Sequence, residues 1–82
     1  MPVETGKPFH TTSLVEATLM FMTKGRVQCK WRGRGMCNFT FHECTQEEIA
    51  FACDAQTTVV AREFNHAMSQ LKDEMYAARD GG

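Results

Sequence analysis

Three observations predict a single α+β domain built as helix, two-stranded antiparallel hairpin, short helix and long C-terminal helix. Apolar residues alternate on both sides of a glycine-rich break, as Val27, Cys29, Trp31 and then Cys37, Phe39, Phe41, which is the period of half-buried strands. Two Ser/Thr-x-x-Glu patterns, Ser13 with Glu16 and Thr45 with Glu48, are capping boxes that mark helix starts. Ala61, Phe64, Met68, Leu71, Met75 and Ala78 recur three or four residues apart, which lays one apolar stripe along a helix. A chain of 82 residues, 43% hydrophobic and 23% charged, is long enough for one core and too short for two.

Residues 1–8, with Pro2, Gly6 and Pro8, read as a flexible lead-in that closes on Phe9. The first helix should span about 13–24, with Lys24 favourable to the dipole in its last turn and Gly25 as a left-handed stop. It is nearly all apolar (Leu14, Val15, Ala17, Leu19, Met20, Phe21, Met22) around the single charge of Glu16, more than a one-sided helix needs. In the hairpin, the two apolar triplets share a face only if paired positions sum to an even number. A three-residue loop Gly33-Arg34-Gly35 meets that condition, with Gly35 in the left-handed region. Gln28, Lys30, Arg32, Asn38, Thr40 and His42 then form a polar, net positive outer face. A short helix follows over 45–54, with Cys44 and Ile49 as hydrophobic staple. Residues 57–60 read as a brief third strand or as the run-up to the last helix, over 61–78, which Arg79 and Gly81-Gly82 close.

The order Phe9-x-Thr11-x-Ser13-Leu14-x-x-Ala17, Gly25, Phe39-x-Phe41 and Val60-Ala61-Arg62-x-Phe64 with Leu71-Lys72 resembles a family of small bacterial domains of unknown function. That family has an F-x-T-x-[DS]-L helix start, an F-x-F strand and a closing R-x-F…L-K helix. The resemblance covers about residues 9–72 and implies a compact α-β-β-α-α fold, with no activity or site residues to transfer. Glu16 departs from it, since an apolar residue is usual there, as do the extra cysteines.

Net charge is only −1 but unevenly placed. Residues 1–42 hold six basic residues against two acids, and residues 43–82 hold three against eight. Such polarity serves an anionic ligand or lets two copies meet head to tail. With no leader pattern and no apolar span of ~20 residues, the expected setting is the cytosol and no membrane is implied. Cys29, Cys37, Cys44 and Cys53 are eight, seven and nine positions apart, without the close knuckle a zinc site needs, and are expected to be reduced and metal-free. Cys29 and Cys37 would be diagonal neighbours ~7–8 Å apart by Cα, too far for an easy bridge. Cys44 near His42 and Glu43 has no convergent base, and Gly33-Arg34-Gly35 is too short to cradle phosphate.

The chain therefore reads as a non-enzymatic binding or regulatory module with no cofactor and no evident small-molecule substrate. The first expectation is contact with a protein partner or a homodimer through Leu14, Phe21, Phe64, Met68, Leu71 and Met75, because the hairpin and one short helix offer little apolar surface to cover both long helices. The alternative is a nucleic-acid-binding module using the basic hairpin, through Lys24, Arg26, Lys30, Arg32 and Arg34. Parity puts Trp31 on the apolar face, and the outer face lacks the aromatics of an RNA-recognition sheet.

Overall fold

The computed structural model describes residues 6–81. Elements run β1 (Lys7–Thr11), α1 (Leu14–Lys24), β2 (Gln28–Gly33), β3 (Met36–Cys44), α2 (Gln46–Cys53) and α3 (Ala61–Gly81). The class is α+β, and the sheet is antiparallel with three strands in the order β1-β3-β2. Helices cover one face: α1 packs against both α2 and α3, and α3 lies along β2.

That arrangement explains the composition of α1. Ala17, Thr18, Leu19 and Met20 are all buried, because the middle of the helix is enclosed by the sheet and both other helices. Ser13 caps it by accepting from the Glu16 amide at 3.3 Å, and Gly25 at φ 72° ends it with its N–H on the Phe21 carbonyl. Glu16 is held by the Thr11 hydroxyl, which donates to its Oε1 at 2.8 Å and accepts from the Ser13 amide at 3.0 Å. The Phe9-x-Thr11-x-Ser13 segment is thus the last part of a strand joined to a helix cap.

The hairpin has the expected parity, with Trp31 opposite Cys37, Lys30 opposite Asn38 and Cys29 opposite Phe39. Its turn is tighter than the three-residue reading. Gly33 is still in β2, displaced by a bulge to oppose Met36. Only Arg34 (φ 56°) and Gly35 (φ 74°) form the loop, both left-handed as a type I′ hairpin turn requires. Phe39, Phe41, Cys37 and Cys44 fill the inner face with Phe9, Met20 and Leu71. Cys44 reaches that face because Glu43, at φ 58°, lies in an irregularity of the β1–β3 register between Lys7 and Phe9.

One expectation is corrected and one alternative is decided. The third strand is Lys7–Thr11, which overlaps the supposed lead-in; residues 1–5 of that lead-in lie outside the described residues. Pro8 is tolerated because β1 is an edge strand and needs no donor at every position. Residues 57–60 form no strand. There the Gln56 amide donates to Asp54 Oδ1 (2.9 Å), the Thr57 amide to the Asp54 carbonyl (3.1 Å) and the Thr57 hydroxyl to the Phe51 carbonyl (2.7 Å). The segment caps the end of α2 instead.

Candidate nucleic-acid interface

The face of the sheet turned away from the helices is open. Along β3 the odd positions Cys37, Phe39 and Phe41 are buried, whereas Met36 and His42 are exposed and Asn38 and Thr40 half-buried, as a two-residue period dictates. β2 adds Gln28, Lys30 and Arg32 to the open face, all exposed, and β1 adds His10. Cross-strand bonds order the polar surface: His42 Nε2 donates to Gln28 Oε1 at 2.9 Å, and His10 Nδ1 and Thr40 Oγ1 are bonded at 3.0 Å. Two shallow concavities flank β3 here. One of about 450 Å³ is bordered by Arg26, Gln28, Thr40 and His42. The other, of about 540 Å³, is bordered by His10, Thr12, Asn38 and Thr40.

The charge of this face is one-sided. Arg26, Lys30, Arg32 and Arg34 are exposed, and Glu43 is the one carboxylate in the three strands. Neither ion pair formed among the described residues involves these four cations. Lys24 differs from them. Its Nζ donates to the Glu43 carbonyl at 2.9 Å and to Glu48 Oε1 at 3.3 Å, tying the end of α1 to β3 and to the start of α2. Of the five basic candidates, four are free to meet a ligand and the fifth is a structural tie.

Of the six apolar candidates, one is consumed within the fold and five are half-buried. Leu71 has 0% exposure. Leu14, Phe21, Phe64 and Met75 are half-buried against the core, and Met68 is half-buried. What sequence reasoning missed is the third strand, which with the layer of three helices takes up part of the apolar surface. Trp31 lies half-buried on the inner side, with the Arg79 guanidinium 5.8 Å from its ring centroid, so it is not presented to the open face.

All four cysteines are free. Burial, followed by the neighbouring Cys37 thiol, pushes Cys29 up to about 12, and burial raises Cys37 and Cys44 as well. A thiol held protonated is a poor nucleophile. The Cys37 thiol donates to the Asn38 carbonyl at 3.6 Å. Among the described residues no three His, Cys, Asp or Glu side chains converge as a metal site would require, and no helix is long and apolar enough to cross a membrane. Compared with protein-family models, with curated proteins and with solved structures, the chain matches none.

Proposed function

We propose that this domain binds duplex DNA, with Arg26, Lys30, Arg32 and Arg34 on the phosphate backbone and the β2–β3 ribbon against a groove. The observation that carries the reading is the open sheet face, which is polar, has four exposed cations and a single carboxylate at its margin. A two-stranded ribbon fits the major groove of B-form DNA, and side-chain amides, hydroxyls and imidazoles of the kind at Gln28, Asn38, Thr40 and His42 suit base edges. A single-stranded ligand is disfavoured because, among the described residues, no Phe, Tyr or Trp stands on this face for bases to stack on. Double-stranded RNA is disfavoured because its major groove is too deep and narrow for side chains to read. The protein-partner reading loses Leu71 to the core, while Phe21, Phe64, Met68 and Met75 stay half-buried. A reducing, cytosolic setting suits four free thiols in a DNA-binding module.

The test is titration of a labelled duplex with the wild-type chain and with Arg32→Gln/Arg34→Gln. The double variant should bind more weakly on every sequence tried, since phosphate contacts carry no base information. Equal affinity of the two proteins would remove the hairpin from the interface.

A further inference from the structure

We propose that the hairpin tip of one copy docks in the groove between α1 and α3 of a second copy, so that the chain assembles head to tail. This contact goes beyond the DNA reading, because it engages a second surface, on the helical side of the molecule. The groove is an open hollow of about 860 Å³ floored by Phe21, Met22 and Ala67. Its rim carries Glu63, Asp73 and Glu74 against the single arginine Arg62, a balance of −2 with His66 neutral. The tip offers the complement. Arg32 and Arg34 are exposed on it, and between them and the polar sheet face stands Met36, 55% exposed. A flexible thioether seats readily on an aromatic and thioether floor while arginines take carboxylates at the margin.

A tip cannot fill the groove of its own molecule. Arg79 packs over Trp31, which places the hairpin beside the last turn of α3. The groove runs from Arg62 to Glu74, from about 26 Å to about 7.5 Å back along the helix, and the tip lies beyond Trp31 at the opposite end. Each copy presents one tip and one groove at separate places, so the contact is heterologous and propagates into a ring or an open chain. Its small area and charged margin make it weak and salt-sensitive. Arg32 and Arg34 cannot serve a second copy and a phosphate backbone together, so duplex DNA and self-assembly compete for the tip.

Analytical ultracentrifugation of the full chain over a concentration series, at about 20 mM and about 500 mM salt, reads the contact directly. The weight-average mass should rise above the 9.3 kDa of one chain with concentration at low salt and return to it at high salt. Arg34→Glu and Asp73→Lys should each weaken association at least about tenfold, and an equimolar mixture of the two should associate again, because the reversed tip fits the reversed groove. Circular dichroism checks folding, and Arg32→Glu replaces Arg34→Glu if the turn does not tolerate that change. Asp73→Lys should not lower affinity for duplex DNA, which separates this contact from the nucleic-acid reading. A mass that stays at one chain throughout, association indifferent to salt, or a mixture that stays monomeric would each overturn the proposal.

Discussion

Lys24→Met separates a structural cation from the binding cations beside it. The ammonium donates at 2.9 Å to the Glu43 carbonyl and at 3.3 Å to Glu48 Oε1, and it occupies the last turn of α1. The two side chains of the ion pair are about one-fifth exposed (22% and 23%), so solvent screens it and the pair itself is worth roughly 0.2–1 kcal/mol. Loss of the helix-dipole interaction adds about 0.3–1 kcal/mol, and the carbonyl, released at a partly exposed site, adds about 1 kcal/mol. Methionine keeps most of the aliphatic stem, so the expected loss is about 2 kcal/mol. For a domain of this size that lowers the melting temperature by roughly 8–16 °C. Part of the loss depends on pH. Glu48 is held below the ordinary carboxylate range, first by the Thr45 backbone amide and then, against an opposing effect of burial, by Lys24. A depressed folded-state pKa gives stability that is complete above the ordinary carboxylate value and is lost as pH falls through the depressed one. The gap between wild type and variant should therefore narrow in acid without closing, because the bond to the Glu43 carbonyl does not titrate. Thermal melts at neutral and acid pH, with Glu48→Gln to complete a double-mutant cycle, measure it. An unchanged melting temperature together with weakened DNA binding would refute the reasoning and return Lys24 to the ligand-binding set.

Three further predictions concern the frame that holds the site. Gly6→Ala should cost about 1–3 kcal/mol, since a Cβ there would collide with the Glu43 backbone; a urea midpoint equal to wild type would show that the chain entering β1 does not approach the bulge. Ser13→Ala and Thr45→Ala should each lower stability by about 0.5–2 kcal/mol, read from urea midpoints, because the hydroxyls accept from the Glu16 and Glu48 amides at 3.3 and 3.1 Å. With a thiol reagent under native conditions, Cys53 should react fastest and Cys53→Ser should lack the fast phase, since Cys53 is exposed, Cys37 and Cys44 are buried, and Cys29 is half-buried with its thiol pushed up to about 12; fast reaction of Cys37 or Cys44 would contradict the packing of the inner face.

The elements that sequence reasoning located are those with strong local signals. Ser13 and Thr45 announce themselves by a glutamate three residues on, and both accept the expected amide. The alternation around Gly33 and Gly35 gives the hairpin register, because a slip of one residue would turn Phe39 and Phe41 out to solvent. β1 was illegible for a physical reason: its five residues supply one buried side chain, Phe9, and include a proline, so neither alternation nor propensity marks it. Its strand character comes from pairing with β3, a contact some thirty residues away in sequence that no local pattern encodes. The bulge at Glu43, which returns Cys44 to the core, is likewise a product of that pairing. For the site, the basic residues could be read off but their roles could not. Lys24 and Arg26 look alike in sequence, and only the positions of Glu43 and Glu48 make the first a tie and leave the second exposed. The apolar surplus of α1 is explained in part by the enclosure of Ala17, Leu19 and Met20, while Phe21 and Met22 stay half-buried beside the groove between α1 and α3.

The most direct test of the account is the salt dependence of duplex binding, measured by fluorescence anisotropy of a labelled duplex across a salt series. Each phosphate neutralised contributes roughly −0.9 to the slope of log K against log salt, so four contacts predict a slope of about −3.6, or ~150-fold weaker binding at 200 mM than at 50 mM salt. Substituting Arg26, Lys30, Arg32 or Arg34 by glutamine should reduce the slope by about 0.9 each, and Lys24→Met should leave it unchanged. Failure to bind at low salt, or a slope near zero that none of the four substitutions alters, would contradict the assignment of the open sheet face to DNA.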